Sequence, residues 1–203
     1  LLGGTNMSTT NELLYYIPAG QYGKEGVLAL LEQHPEIKFV SLVGIDLAGN
    51  DTDEKIPMSA FFDDYESFFE GRAVQTDGSS VVLTNIATLN NARVDMWGDP
   101  SVNWFVDYNY ENIDPVTGLP TGTLRIPAFL MHNYRYVDSR SILKRSCDYV
   151  RAELLALIKE HGLPGMPHVK ADEVVDIIFT SATELEFWVK TPSRTVTKKE
   201  LSV

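Results

Sequence analysis

The chain has 203 residues, 44% of them hydrophobic and 22% charged, so it can bury a core and is not typical of a disordered protein. Its 28 acidic residues outnumber its 17 basic ones, and a net charge of −11 without a basic cluster argues against nucleic acid or an anionic membrane as partner. The single cysteine, Cys147, excludes an internal disulfide, and no stretch reaches the ~18 consecutive apolar residues of a membrane span. Without a signal-peptide pattern, we expect a cytoplasmic protein.

The first predicted elements are a short helix and a β-hairpin. Apolar residues at 27, 28, 30 and 31, followed by Pro35, predict a helix over 23–34. The apolar run 39–47, the turn-rich "AGNDTD" and the return run "KIPM" predict a hairpin. In "MSAFFDDYESFFEG", helical spacing predicts a second helix with Ser59 as N-cap and Gly71 just beyond its end. We expect its four phenylalanines and Tyr65 to face the core.

The remaining chain alternates β-prone runs with turns and then carries one long helix. The runs "SVVLTNIATL", "VNWFVDYN" and "TLRIPAFLM" are β-prone, whereas the acidic, Pro- and Gly-containing stretch 107–125 predicts a long loop or domain connection. A helix follows, with an apolar stripe at 143, 147, 150, 154, 157 and 158, Asp138 or Ser139 as N-cap and Gly162 at its end. Cys147 falls on this stripe and is interpreted as a small hydrophobe rather than a nucleophile. Two strands are predicted over 173–180 and 183–190.

Glu184 and Glu186 lie in the apolar run "FTSATELEFWV". Residues i and i+2 of a strand point to the same face, with Cα atoms about 6.5 Å apart. Paired carboxylates repel unless a cation or solvent screens them, and hard divalent cations prefer carboxylate oxygens. The spacing alone leaves two readings open, a divalent-metal site and an ordinary solvated sheet face.

Two further motifs have both a structural and a functional interpretation. In "QTDGSS", Asp77 can accept from a backbone N–H two residues on and Gly78 can adopt φ > 0, which describes a plain β-turn or a turn that attracts a cationic ligand. In "DSRSILKR", three cations lie near a helix N-terminus, where they oppose the macrodipole. Salt bridges to a neighbouring acidic loop would explain them.

The order of these motifs resembles the N-terminal part of glutamine synthetase. That family shows Phe-Asp-Gly-Ser-Ser near the end of a small β-grasp domain, Asp-Pro-Arg with Lys-Arg opening the first catalytic helix, and Glu-x-Glu-Phe on the first catalytic strand. The resemblance implies an α+β fold with a flexible N-terminus (1–14), a β-grasp domain (15–125) and the beginning of a truncated catalytic domain (126–203).

The resemblance also implies a chemistry. Glu184 would bind the divalent ion that contacts the ATP phosphates, and Glu186 the ion that organises glutamate and phosphoryl transfer. Asp77 would help to bind and deprotonate ammonium in the neighbouring subunit's active site, with Ser80 nearby. The implied reaction is ATP-dependent glutamine biosynthesis through γ-glutamyl phosphate, with Mg²⁺ or Mn²⁺ as cofactor, in a ring-shaped homo-oligomer, a dodecamer in expectation.

The sequence also departs from the family pattern. Thr76 stands where the family has Phe, and Ser139 where it has Pro. These departures leave open whether the amine substrate is ammonium or a bulkier amine. The alternatives are a γ-glutamyl-amine ligase and a non-catalytic structural relative on the same scaffold. Because the family's other metal ligands and substrate-binding residues would follow Val203, we expect these 203 residues alone to be inactive.

Overall fold

The computed structural model describes residues 12–21, 23–83, 88–89, 92–184 and 186–187. Short 3₁₀ turns occur at Tyr65–Phe68, Gly78–Ser80 and Ala171–Glu173. The helices and strands are β1 (Tyr16–Ile17), α1 (Lys24–Glu32), β2 (Ile37–Ile45), β3 (Asp51–Pro57), α2 (Met58–Asp63), β4 (Val74–Asp77), β5 (Arg93–Gly98), β6 (Trp104–Ile113), β7 (Pro120–His132), β8 (Arg135–Tyr136) and α3 (Ser139–His161).

The chain divides into two compact units, Leu1–Asp148 and Tyr149–Val203. Every strand of the described residues belongs to the first unit. The predicted domain boundaries at 14/15 and 125/126 stay predictions, although β7 runs without interruption through position 125. Of the flexible N-terminus predicted over 1–14, residues 1–11 lie outside the described part of the chain.

The long strand β7 organises the sheet. Its first half pairs with β6 on one side and β2 on the other, and its second half pairs with β5 and β8. Strand β3 continues the sheet beyond β2, β1 beyond β6, and β4 beyond β5. All these pairs are antiparallel except β2 with β7. A mostly antiparallel sheet combined with helices is compatible with the predicted α+β class.

One face of the sheet supplies the core of the first unit. Alternation along each strand sends every second side chain to this face, where the apolar ones are buried. Phe61 and Phe68, from the segment after β3, pack edge to face with ring centroids 5.0 Å apart, and Phe69 stacks on Trp104 at 5.2 Å. Buried members of this core include Val27, Leu31, Val40, Leu42, Phe61, Tyr65, Phe68, Trp104, Leu124 and Ile126.

Several predicted elements are confirmed. The helix expected over 23–34 is α1, and the hairpin is formed by β2 and β3, paired from Phe39 with Pro57 to Ile45 with Asp51. The run 102–109 lies largely in β6, and the run 123–131 lies wholly in β7. Of the β-prone run 80–89, residues 84–87 lie outside the described part.

The second predicted helix is interrupted. It begins after Pro57 rather than at a Ser59 cap, and Asp64, with φ −135° and ψ 47°, ends it before a 3₁₀ turn. Gly71 closes the segment with φ +66°, a conformation that glycine adopts without strain. The aromatic prediction is confirmed, because Phe61, Tyr65 and Phe68 are buried and the other two phenylalanines pack against them.

The long loop predicted over 107–125 is wrong. Strand β6 reaches Ile113, β7 starts at Pro120, and only 114–119 form the connection. Residues 104–108 alternate between buried and exposed, and 109–113 are all exposed, so the acidic and polar residues lie at solvent-facing positions of a strand. The stretch forms a strand because it pairs with β7, although its polar composition is typical of a loop.

In the second unit, the predicted strands over 173–180 and 183–190 are wrong at the described positions. Residues 174–184, 186 and 187 have no regular secondary structure, while 185 and 188–190 lie outside the described part. A strand needs a hydrogen-bonding neighbour, and none of the strand pairs among the described residues includes any residue beyond Tyr136.

Helix α3 matches its predicted span, although no α3 residue is fully buried among the described residues. Its predicted apolar stripe is largely exposed, with Leu143 and Leu157 among the exposed side chains, and Cys147 is half-buried. No helix in the described part is long and apolar enough to span a membrane.

Candidate functional site

The motif "DGSS" lies at the end of β4. The strand ends at Asp77, and Gly78–Ser80 form one turn of 3₁₀ helix. As predicted, Oδ1 of Asp77 accepts a hydrogen bond from the backbone N–H of Ser79, at 2.7 Å. Hydrogen bonds from the hydroxyl and the backbone N–H of Ser79 hold the pKa of Asp77 below its ordinary value. Asp77 therefore presents an exposed, oriented carboxylate that is ionised at neutral pH.

Position 78 requires a glycine because the backbone of Leu89 packs closely against it. Its predicted positive φ is wrong, because it is not among the glycines with that conformation. Its N–H donates to the carbonyl oxygen of Ala92 at 2.7 Å, and a Cβ at this position would lie 2.1 Å from the carbonyl oxygen of Leu89. A side chain at position 78 would thus collide with backbone rather than with a movable side chain.

Asp46, which the sequence did not single out, ties this turn to the β2–β3 hairpin. It is completely buried at the start of the hairpin loop. Oδ1 accepts from the backbone N–H groups of Ala48 and Asn50, at 2.8 and 2.9 Å. Oδ2 accepts from the Asn50 side chain at 3.1 Å and from the backbone N–H of Val82 at 2.9 Å. The backbone N–H of Leu47 also donates to the Val82 carbonyl, at 3.2 Å.

These bonds fix the segment that follows Ser80 to a loop far away in the chain. Burial raises the pKa of Asp46, but the hydrogen bonds that it accepts outweigh burial, and the pKa lies below its ordinary value. The available sequence signal was an Asp directly before a turn-rich cluster, which is typical of an Asx-turn. The bond to Val82 had no local signal.

The motif "DSRSILKR" opens α3, and Asp138 is its N-cap. Oδ1 of Asp138 accepts from the backbone N–H of Ser141 at 2.8 Å, and Oδ2 accepts from the Ser141 hydroxyl at 2.9 Å. Oδ2 also accepts from the backbone N–H of Leu130 in β7, at 3.2 Å. Asp138 therefore fixes the first turn of α3 to the central strand of the sheet.

Two of the three cations near the start of α3 pair with acidic residues, as predicted. Arg140 donates to Oδ2 of Asp99 at 3.0 Å, in the turn after β5, and its guanidinium lies 4.7 Å from the Phe129 ring centroid. Lys144 pairs with Asp148 at 2.6 Å, one helical turn on. One terminal nitrogen of Arg140 is buried and has no hydrogen-bond partner within the described residues.

Glu184 and Glu186 lie in the second unit, and both are exposed. Because Leu185 lies outside the described part, whether the two carboxylates share a face is untested. Their oxygens are the donor type that Mg²⁺ and Mn²⁺ prefer. Within the described residues, however, no three His, Cys, Asp or Glu side chains come close enough together to hold a metal ion.

The predicted site residues thus fall into two groups. Asp77 and Ser80 belong to one turn of the first unit, whereas Glu184 and Glu186 belong to the second. The roles assigned to all four stay predictions.

Comparisons with known proteins do not show which family the chain belongs to. No family model matches the chain, and neither does any curated protein. Among solved structures, the cryo-EM structure of Plasmodium falciparum glutamine synthetase matches with a TM-score of 0.44 and 14% identity, over 68% of this chain. The match covers 24% of that protein, so the chain spans about a quarter of its length. A similarity this weak does not assign a function.

Proposed function

We propose that the chain is the N-terminal part of an ATP-dependent glutamate–ammonia ligase of the glutamine synthetase family. The observation that carries the proposal is the turn at Asp77, where a motif implied by the sequence resemblance presents an oriented, exposed carboxylate. A second support is the order of three motifs along the chain. The Asp77 turn comes first, the Asp138-capped start of α3 second, and the Glu184/Glu186 pair third.

The chemistry of Asp77 suits an ammonium ion. An exposed carboxyl whose pKa lies below the ordinary value of 3.8 is charged throughout the physiological range, and a charged carboxylate attracts and orients a small cation. In the proposal, the Asp77 carboxylate accepts the proton that ammonium loses as it becomes nucleophilic ammonia. Ser80 follows in the same turn, and the proposal assigns its hydroxyl a supporting role.

The arrangement of the first unit supports a β-grasp fold for the proposed N-terminal domain. In the sheet, the hairpin strand β2 lies beside β7, a later strand, and runs parallel to it, while β3 lies on the other side of β2. A first hairpin strand paired in parallel with a late strand is the central feature of that fold.

In the proposal, Glu184 and Glu186 each hold one divalent cation, Mg²⁺ or Mn²⁺. Such ions neutralise the charge that develops on a phosphoryl group during its transfer from ATP to the glutamate γ-carboxylate. Two carboxylates leave most coordination positions to other ligands, so the complete site requires residues beyond these two. The ring-shaped homo-oligomer, with active sites between subunits, belongs to the same proposal.

The test is an activity assay on the chain expressed with the sequence that adjoins it in its gene. We expect phosphate release from Mg·ATP that requires both glutamate and an amine. Asp77→Asn should lower the rate by about 100-fold, the scale of a lost acid–base group, while Asp63→Asn, an exposed acid of α2, should not change it. Phosphate release that is independent of glutamate, or unchanged by Asp77→Asn, would overturn the proposal.

A screen of amines in the same assay separates ammonium from a bulkier amine and so decides between the two ligases. The 203-residue chain alone is expected to bind Mn²⁺ weakly in calorimetry. Tight, stoichiometric binding that Glu184→Gln abolishes, and that the exposed control Glu173→Gln leaves intact, would contradict the incomplete-site expectation.

A further inference from the structure

A pocket of about 910 Å³ opens beside the β7–β8 hairpin, wholly within the first unit. We call it the hairpin pocket. Its apolar wall is formed by Leu83, Leu89, Val137 and Ile142. The remaining lining comes from residues 132–136 of the hairpin and from Arg145 of α3. The volume lies in the range of pockets that bind small organic molecules.

The hairpin places a basic and an aromatic side chain at the rim. Its turn consists of Asn133 and Tyr134, with φ of 46° and 61°, and His132 pairs directly with Arg135 across it. Positive φ is uncommon for a residue as bulky as tyrosine, and the Tyr134 side chain is 98% exposed. The turn thus holds an unpacked aromatic ring at the edge of an apolar cavity.

Both ring nitrogens of His132, at this rim, lie within hydrogen-bond distance of neighbouring groups. Nδ1 of His132 lies 2.9 Å from the carbonyl oxygen of Arg93, which can only accept, so Nδ1 carries the proton. Nε2 lies 2.9 Å from the side-chain amide of Asn133. Among the lining residues, Arg135 and Arg145 carry a fixed positive charge.

Two arginines make the hairpin pocket cationic in a strongly acidic protein. Arg145 is held in place by a hydrogen bond from its guanidinium to the carbonyl oxygen of Tyr136, at 3.2 Å. Arg135 has no ion pair among the described residues. No lining residue in the described part is acidic. The net charge of the whole chain is −11, so this local excess is not a general property of its surface.

We propose that the hairpin pocket binds a small organic anion, a carboxylate or a phosphate monoester on an aromatic or aliphatic body. The guanidinium groups of Arg135 and Arg145 supply paired N–H donors that match a planar carboxylate or a phosphate. The apolar wall buries the body, and the cavity is too large and too apolar for a bare inorganic anion. Leu89 of the pocket wall lies against Gly78 of the Asp77 turn, but the proposal does not depend on the proposed ligase activity.

The test uses 2-naphthoate and 2-naphthyl phosphate as probes, with 2-naphthylmethanol as the neutral control. Binding to the 203-residue chain is measured by calorimetry, and saturation-transfer NMR reports whether the ring is in contact with protein. We expect at least one anion to bind, and the neutral alcohol to bind at least about tenfold more weakly because it makes no charge-assisted hydrogen bond. The two anions distinguish a carboxylate site from a phosphate site.

Charge-neutralising variants locate the anion. Arg135→Gln and Arg145→Gln should each weaken binding by about tenfold or more, and Arg72→Gln, an exposed arginine outside the pocket, should leave it unchanged. Because Arg145 also contacts the Tyr136 carbonyl, circular dichroism checks its fold, and Arg145→Lys, which keeps the charge, should retain part of the affinity. Failure of both anions to bind, equal binding of the neutral alcohol, or full affinity in Arg135→Gln would each overturn the proposal.

Discussion

Replacing Asp46 with alanine is expected to destabilise the first unit by about 3 kcal/mol. The buried carboxylate accepts three backbone N–H groups, those of Ala48, Asn50 and Val82, at 2.8 to 2.9 Å. Ala48 and Asn50 are exposed, so water can replace part of the lost bonding, and each bond contributes about 1 kcal/mol rather than its full desolvation cost. Asp46→Asn keeps one acceptor oxygen and should cost about half as much, about 1.5 kcal/mol.

The contribution of Asp46 depends on pH in a defined direction. Its pKa is lower in the folded protein than the ordinary value of 3.8, so the unfolded chain takes up the proton first as the pH falls. The stabilisation by Asp46 is therefore complete above about pH 4 and is lost as the pH drops through the folded pKa. The stability difference between the wild-type chain and Asp46→Asn should accordingly be largest at neutral pH and shrink at pH 3.

Urea denaturation at pH 7 and pH 3 measures these differences, with Asp51→Asn as the matched control. Asp51 lies in the same hairpin, but its side chain is 59% exposed, so its loss should change stability by less than about 0.5 kcal/mol. Hydrogen exchange provides a second readout, because the Val82 amide should exchange faster in Asp46→Ala than in the control. If Asp46→Ala is no less stable than Asp51→Asn, Asp46 is not the anchor that its hydrogen bonds indicate.

Three further substitutions have expected outcomes in the same urea assay. Gly78→Ala should destabilise by more than about 2 kcal/mol, because its Cβ would lie 2.1 Å from the Leu89 carbonyl oxygen, and a neutral effect would refute this packing. Gly26→Ala in α1, where a Cβ meets nothing within 4 Å, should instead stabilise by about 0.5–1 kcal/mol through helix propensity; a loss of stability would contradict it. Asp99→Asn removes the charge that faces Arg140 and should cost about 1–3 kcal/mol, whereas an unchanged midpoint would mean that the pair contributes nothing.

The elements that could be predicted from the sequence are those whose signals are local. The hairpin of β2 and β3 follows from an apolar run, a turn cluster and a return run that adjoin each other in the chain. Helix α3 follows from its N-cap at Asp138 and from Gly162, whose N–H donates to the Ile158 carbonyl at 2.8 Å. In both cases the interactions that define the element join residues only a few positions apart.

The elements that were predicted wrongly depend on partners elsewhere in the chain. Residues 107–113 form a strand because β7 provides a neighbour, despite the polar composition of this stretch. Residues 174–184 are apolar and β-prone, yet they form no strand, since no described residue pairs with them. Strand propensity describes a fit to a sheet surface, and only the pairing decides whether that surface exists.

The same distinction applies to the candidate site. The hydrogen bond between Asp77 and Ser79 spans two residues and was predictable, whereas the bond from Val82 to Asp46 spans 36 residues and was not. The local bond orients the carboxylate within its turn, but the distant bond fixes the segment that immediately follows the turn. An exposed Asp-Gly-Ser-Ser turn could occur in any protein, so the role proposed for Asp77 depends on how firmly the fold holds this turn. Loss of Asp46 should therefore impair the role proposed for Asp77, even though Asp46 is buried away from solvent.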